Sequence, residues 1–125
     1  PEITTNAINN SSMVIKMNTG KNSILFLGDT GVESGEKLLK NQSEKLKVDI
    51  LQMAHHGQSG VSKEVYDFIK PTICLWPTPD WLWINDSGNG EDSGPWKTKE
   101  TRQWIEDLNI TNNIIEKDGN IKISI

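Results

Sequence analysis

Cysteine is nearly absent from this chain: Cys74, set in an apolar run, is the only one. An internal disulfide framework is therefore excluded, and a buried free thiol is the expected state. No apolar stretch approaches the roughly 18 residues of a helical membrane span, and no signal peptide is visible. Net charge is −4, so the chain lacks the basic patch or stripe that marks a nucleic-acid interface. A phosphodiester held by metal ions stays open. Hydrophobic residues make up only 34% of the 125 positions, a lean supply for one domain with one core, and five tryptophans partly compensate. There are only two histidines, and no initiating Met precedes Pro1. The expected origin is a piece of a longer bacterial protein, cytoplasmic or extracytoplasmic. No internal repeat is present.

The first eleven residues are polar and Asn-rich, as in a loop or linker. Ser12–Met17 and Ser23–Leu27 are strand candidates joined by a turn at Gly20. The second of them is apolar enough to be buried on both faces. Val32–Asn41 has helical spacing, with Val32, Leu38 and Leu39 on its apolar side and Gly35 weakening its start. Gln42–Lys47 is a charged connector, and Val48–Met53 is a third strand. Ser62 can cap a helix over Lys63–Lys70 that turns Val65, Phe68 and Ile69 inward, and Pro71 stops it. Thr72–Trp76 is a fourth strand.

The stretch 77–95, rich in Pro and Gly, is too long for an ordinary connection. Thr98 can cap a helix to about Leu108, with Trp104, Ile105 and Leu108 on one face. Asn112–Glu116 and Asn120–Ile125 flank Asp118-Gly119, a hairpin signal. Strands alternating with helices after an initial hairpin predict an α/β class, a mixed sheet with flanking helices.

Two groups of residues stand out for chemistry. Asp29 follows one apolar strand, between Gly28 and Thr30, and His55-His56 follow another, before Gly57. If the strands are parallel, both groups emerge at the carboxyl edge of the sheet, where α/β proteins place ligands. Carboxylate and imidazole suit Zn²⁺ or a similar ion, and the glycines allow the sharp turns that project the side chains. The ordinary alternatives are a turn or cap role for Asp29 and a solvated role for the histidines.

The ordered run Asn10-Ser11-Ser12-Met13-Val14, Ser23–Thr30 (SILFLGDT), Asp49–Gly57 (DILQMAHHG) and Ile69-Lys70-Pro71 resembles the metallo-β-lactamase superfamily. It is most similar to the branch holding the soluble domains of ComEC-type DNA-uptake proteins and related bacterial hydrolases. The likeness covers roughly residues 8–76. It implies a two-metal hydrolase of αββα sandwich fold using Zn²⁺, in which Asp29 bridges the metals and a metal-activated water attacks the substrate. One histidine completes a metal shell. His55 is the first choice, with His56 as an outer partner, a proton donor or the ligand itself.

Three features of the family are missing. The His-x-His-x-Asp-His motif and a further single His are absent, and the late Gly-His-Pro is replaced by Ser93-Gly94-Pro95-Trp96. Both metal shells cannot be filled from two histidines. The resemblance thus implies the C-terminal half of the domain, with the N-terminal half of the same domain as its missing partner. The half alone is expected to be inactive, and the parent to be a metal-dependent hydrolase of phosphodiester or other ester bonds. The alternative is a degenerate, non-catalytic binding module of the same fold. A half sandwich exposes one sheet face, so a homodimer or swapped assembly is expected, against which a clean monomer would count.

Among the remaining residues, Trp104 is expected in the core. Trp81 and Trp83 either line a groove or pack on the sheet edge or the missing half. Asp86, Glu91 and Asp92 do not meet EF-hand spacing and are expected as solvated loop charges. Lys97, Lys99 and Arg102 are expected on a solvated helix face.

Overall fold

A computed structural model describes residues 2–124. Its centre is a five-stranded sheet of order β1-β2-β3-β4-β5, formed by Ile15–Asn18, Ser23–Phe26, Ile50–Gln52, Ile73–Trp76 and Asn112–Ile115. The β1–β2 hairpin is antiparallel, and each later strand joins its neighbour in parallel. Parallel neighbours require crossover segments. Helices α2 (Val32–Asn41), α4 (Lys63–Ile69) and α6 (Thr98–Asp107) are these crossovers; single-turn helix α1 (Ala7–Asn10) precedes β1, and single-turn helices α3 (Ser43–Leu46) and α5 (Asp80–Trp83) lie in the connections. The predicted α/β class with a mixed sheet and flanking helices is what forms.

The period of two along each strand decides which residues meet which layer. Leu25, Leu51 and Cys74 stand in register on one face. With Leu27, Met53 and Trp76 they form the buried core, against Leu38 and Leu39 of α2, Val65, Tyr66 and Ile69 of α4, and Trp104 and Ile105 of α6. Burial alone pushes the Cys74 thiol up to about 12, so it stays protonated and inert near neutrality.

The opposite face carries Ile15, Met17, Phe26, Ile73, Leu75 and Ile114. It is only partly covered: Ile15 and Met17 are 48% and 41% exposed. The segment after Gly119 borders it, where Ile121 and Ile123 share a groove with Leu75 and Ile114.

Several local expectations fail for identifiable reasons. Val32 is half exposed rather than inward. Gly35 is not a weak point. It is buried where a Cβ would lie 2.8 Å from Val61, so the glycine permits close α2 packing. Tyr66, unremarked in the sequence, is fully buried. The connector 42–47 contains α3, which buries Leu46.

Neither capping hydroxyl acts as expected. Ser62 holds the cap position of α4 without a side-chain bond, and Thr98 is the first residue inside α6, with Lys97 as cap. The strong turn signal at Asp118-Gly119 does not close a hairpin. A 3₁₀ turn spans Glu116–Asp118, and residues 119–124 form no strand; Ile125 lies outside the described residues. A lone outer strand needs a paired edge, and this one turns toward the partly covered face instead.

Glu91, Asp92 and Lys97 are exposed, as expected of solvated charges, but several side chains of this region have defined partners. Lys99 Nζ lies 2.8 Å from Asp92 and 2.6 Å from Glu91, and these contacts hold its ammonium above the usual lysine range. Arg102 stacks on Trp83, 4.1 Å from the ring centroid, and donates to the Trp83 carbonyl. Asp86 organises the long loop by accepting from the Gly88 and Gly90 amides, which hold its carboxyl below the usual carboxylate range.

The start of the chain is held by one carboxylate. Glu33 accepts from the Thr4 and Thr5 amides at 3.1 and 2.9 Å, from both hydroxyls, and from Lys37 at 2.8 Å. The Lys37 ammonium first, then the Thr5 amide, hold Glu33 far below the usual carboxylate range. A depressed folded value means the contact is complete above the unfolded value and is lost as pH falls through the folded one. The Thr4 and Thr5 amide signals should therefore stay fixed through the pH range in which ordinary glutamates titrate, and shift only well below it. Glu33→Gln should loosen them at neutral pH. A midpoint in the ordinary glutamate range would refute this anchoring.

Candidate metal centre

Asp29, His55 and His56 emerge at one edge because β2, β3 and β4 are adjacent and parallel. Strand β2 ends at Phe26, and the chain leaves the sheet through Gly28, at φ +57, into Asp29. Strand β3 ends at Gln52 and passes into the 3₁₀ turn Ala54–Gly57 that carries both histidines. Strand β4 ends at Trp76, and Pro77 and Thr78 follow beside that turn. The two ligand-bearing loops are joined directly: the His55 amide donates to the Gly28 carbonyl at 2.8 Å.

The histidine turn has an unusual backbone. His55, His56 and Gly57 have φ of 50°, 59° and 81° in succession. Two consecutive left-handed residues other than glycine cost roughly 1–2 kcal/mol each. The surroundings impose this shape. The Ala54 amide donates to the buried Tyr66 hydroxyl at 3.3 Å, the Thr78 hydroxyl donates to the His56 carbonyl at 2.6 Å, and Gly57 lies flat against the Trp76 ring. Strain held this way is common at functional sites.

The two imidazoles point to different partners. His55 Nδ1 is 3.0 Å from the Ser59 carbonyl, and its Nε2 is 3.2 Å from the Asn9 side-chain amide. Both ring nitrogens are thus engaged within the protein. His56 Nδ1 is 2.8 Å from the Pro77 carbonyl, and its Nε2 faces Asp29 Oδ1 at 3.6 Å. A carbonyl only accepts, so Nδ1 of His56 carries a proton and, in the neutral ring, the Nε2 lone pair is turned outward. Both side chains of the pair are about half exposed. The fold therefore brings Asp29 and His56 together and aims His55 away. Among the described residues no three His, Cys, Asp or Glu side chains gather as a complete metal shell.

Sequence inspection missed the supports of this site. Ser12 Oγ accepts from the Asp29 amide at 3.2 Å, and the only signal for it was its place in the Asn10-Ser11-Ser12 run. Asn9, Pro77 and Thr78 carried no local signal, since each reaches the site from another part of the chain, whereas Gln52 ends β3 within the Asp49–Gly57 run. The aromatic loop divides: Trp83 packs edge-on to Trp76 at 5.2 Å under Arg102, while Trp81 stays half exposed beside Trp96, ring centroids 5.0 Å apart. Trp104 packs against the core near Tyr66.

No family model matches the chain, and no solved structure matches it. Three known proteins are similar over part of it. ComE operon protein 3 of Bacillus subtilis is 40% identical over 58 residues, 46% of this chain and 7% of that protein. Recombination protein 2 of Haemophilus influenzae is 29% identical over 80 residues, 63% of this chain and 10% of its own length. The uncharacterized protein YcaI of Escherichia coli is 37% identical over 51 residues, 41% of this chain and 7% of that protein. The match thus spans a tenth or less of each relative.

Proposed function

We propose that this chain is the C-terminal half of a metallo-β-lactamase-type domain in a longer protein, and that Asp29 and His56 supply ligands to its hydrolytic metal centre. The aim of the His56 ring carries this reading. Its Nδ1 is tied to the Pro77 carbonyl, which leaves an Nε2 lone pair facing a carboxylate oxygen 3.6 Å away. In the neutral ring these two acceptors repel unless a cation lies between or beside them, whereas a proton on Nε2 makes them an ion pair. A histidine whose second nitrogen donates to a backbone carbonyl is the usual form of a metal-bound histidine.

The donor chemistry, one imidazole and one carboxylate, suits Zn²⁺. It also falls short of the three protein ligands a catalytic zinc takes, so the remaining ligands would come from the other half. When bound, the metal would polarise the substrate and make water nucleophilic near neutral pH. The residues of this chain do the holding. Pro77 fixes the His56 tautomer, Thr78 and the Trp76 ring fix its backbone, and Ser12 fixes Asp29. His55, with both nitrogens engaged, acts as a tie between α1 and the turn rather than as the ligand.

Two further observations support the half-domain reading. The chain spans a tenth or less of each relative, and one apolar sheet face is only partly covered. The other half of the sandwich would pack on that face; a second copy of the chain is the other occupant it admits. Relatives named Recombination protein 2 and ComE operon protein 3 are compatible with the ComEC-like branch.

The test compares this chain alone with the chain joined to the region preceding it in the parent, each supplied with Zn²⁺ or Mn²⁺ and a chromogenic phosphodiester. Turnover is expected only from the joined protein. Comparable turnover by the chain alone would overturn the half-site reading. A folded joined protein that neither binds metal nor turns over would favour the non-catalytic binding module.

A further inference from the structure

The exits that carry Asp29 and His56 meet at one backbone bond, from the His55 amide to the Gly28 carbonyl, and a side chain adds a second tie. Strands β2 and β3 are in register through Phe26 and Gln52. Beyond that pair regular pairing ends, with Gly28 turning out at φ +57 and Met53 leading into the strained histidine turn. The Gly28 carbonyl and the Met53 amide have backbone partners, and the Gly28 amide and the Met53 carbonyl need theirs. Gln52 provides them. Its Oε1 accepts from the Gly28 amide at 3.0 Å, and its Nε2 donates to the Met53 carbonyl. An amide N–H only donates and a carbonyl only accepts, so these partners fix the orientation of the side chain. One planar carboxamide thus clamps the residue before Asp29 to the segment that enters His55-His56.

We propose that Gln52 is the positioning residue of the Asp29–His56 pair, setting the separation at which the two side chains can share a metal ion. The inference rests on the metal-centre reading for its consequence, but the clamp itself concerns only this chain. Gln52 touches neither side chain of the pair. It acts through the backbone of Gly28 and Met53, and among the described residues no other side chain bonds the exits of both strands at once.

Gln52→Leu removes both bonds at similar volume, whereas Gln52→Glu keeps an acceptor for Gly28 and loses the donor to Met53. Two measurements decide the matter. The first is amide exchange and NMR on the metal-free chain: Gln52→Leu should deprotect the Gly28 amide and disperse the Asp29–His56 separation, while the core amides of Leu25, Leu51 and Cys74 stay protected. Gln52→Glu should restore Gly28 protection alone. The second is Co²⁺ affinity and its ligand-field spectrum in the joined protein. There Gln52→Leu should weaken binding about 10–100-fold, the usual cost of losing an outer partner, and broaden the spectrum.

Unchanged Gly28 protection and pair geometry in Gln52→Leu would overturn the clamp. Wild-type protein that ignores Co²⁺ would overturn the metal reading, while the NMR outcome would still decide whether Gln52 positions the pair. Loss of core protection as well would overturn the positioning role in favour of a general structural one.

Discussion

Replacing His56 with alanine in the metal-loaded parent domain is expected to lower zinc affinity by more than about 100-fold, beyond the roughly 10–100-fold that removing an outer partner costs. Asp29→Ala should do the same. His55→Ala should stay within the smaller range, because its ring nitrogens face Ser59 and Asn9 rather than the Asp29 carboxylate. The contrast comes from the local backbone. Consecutive left-handed residues send neighbouring side chains in different directions, and only the His56 ring lies where the Pro77 carbonyl can accept from its Nδ1–H and Asp29 can meet its Nε2. Isothermal titration of the three variants measures this directly. A larger loss from His55→Ala than from His56→Ala would reverse the ligand assignment.

Gly57→Ala is expected to destabilise the chain by about 3 kcal/mol. Two effects combine. A left-handed backbone at φ +81 costs an L-residue roughly 1–2 kcal/mol. The added Cβ would sit 2.5 Å from the Trp76 ring, and overpacking of this kind costs roughly 1–3 kcal/mol. The ring has little freedom to yield, being 2% exposed, edge-packed by Trp83 and bonded through Nε1 to Asn113. Gly20→Ala is the control: its φ is +87, yet nothing lies within 4 Å of the new Cβ, so only the backbone cost applies. Urea unfolding of the two variants separates the contributions, and equal losses would rule out the steric one. Because Gly57 follows His56 directly, the same change should also disturb the candidate centre.

These two outcomes depend on different kinds of information. That Gly57 ends a sharp turn and that imidazoles project beside it could be read from Met53-Ala54-His55-His56-Gly57 following an apolar run. That the turn presses on Trp76, 19 positions away in the chain, could not. The same division runs through the fold. Helix α2 falls on its predicted span, and α4 and α6 nearly so, because the 3.6-residue period is local and repeats over several turns. The strands were recognisable but came out shorter than expected, since a strand ends where its neighbour stops pairing. Gly35 and Arg102 were misjudged because their environments, Val61 and the Trp83 ring, are supplied by other elements. The Asp118-Gly119 signal failed for a related reason: a turn proposes a hairpin, but a strand needs an edge to join.

By itself the sequence determined the layering of strands and helices, the inert buried cysteine, and the presence of a carboxylate and two imidazoles at strand ends. Each of these follows from composition and short-range periodicity. Only the tertiary structure decided that Asp29 meets His56 and not His55. Residues adjacent in sequence are chemically alike, and what distinguishes them is the hydrogen-bond partner each one faces. Here those partners are Pro77 for one ring and Ser59 and Asn9 for the other, and all but Ser59 come from distant parts of the chain.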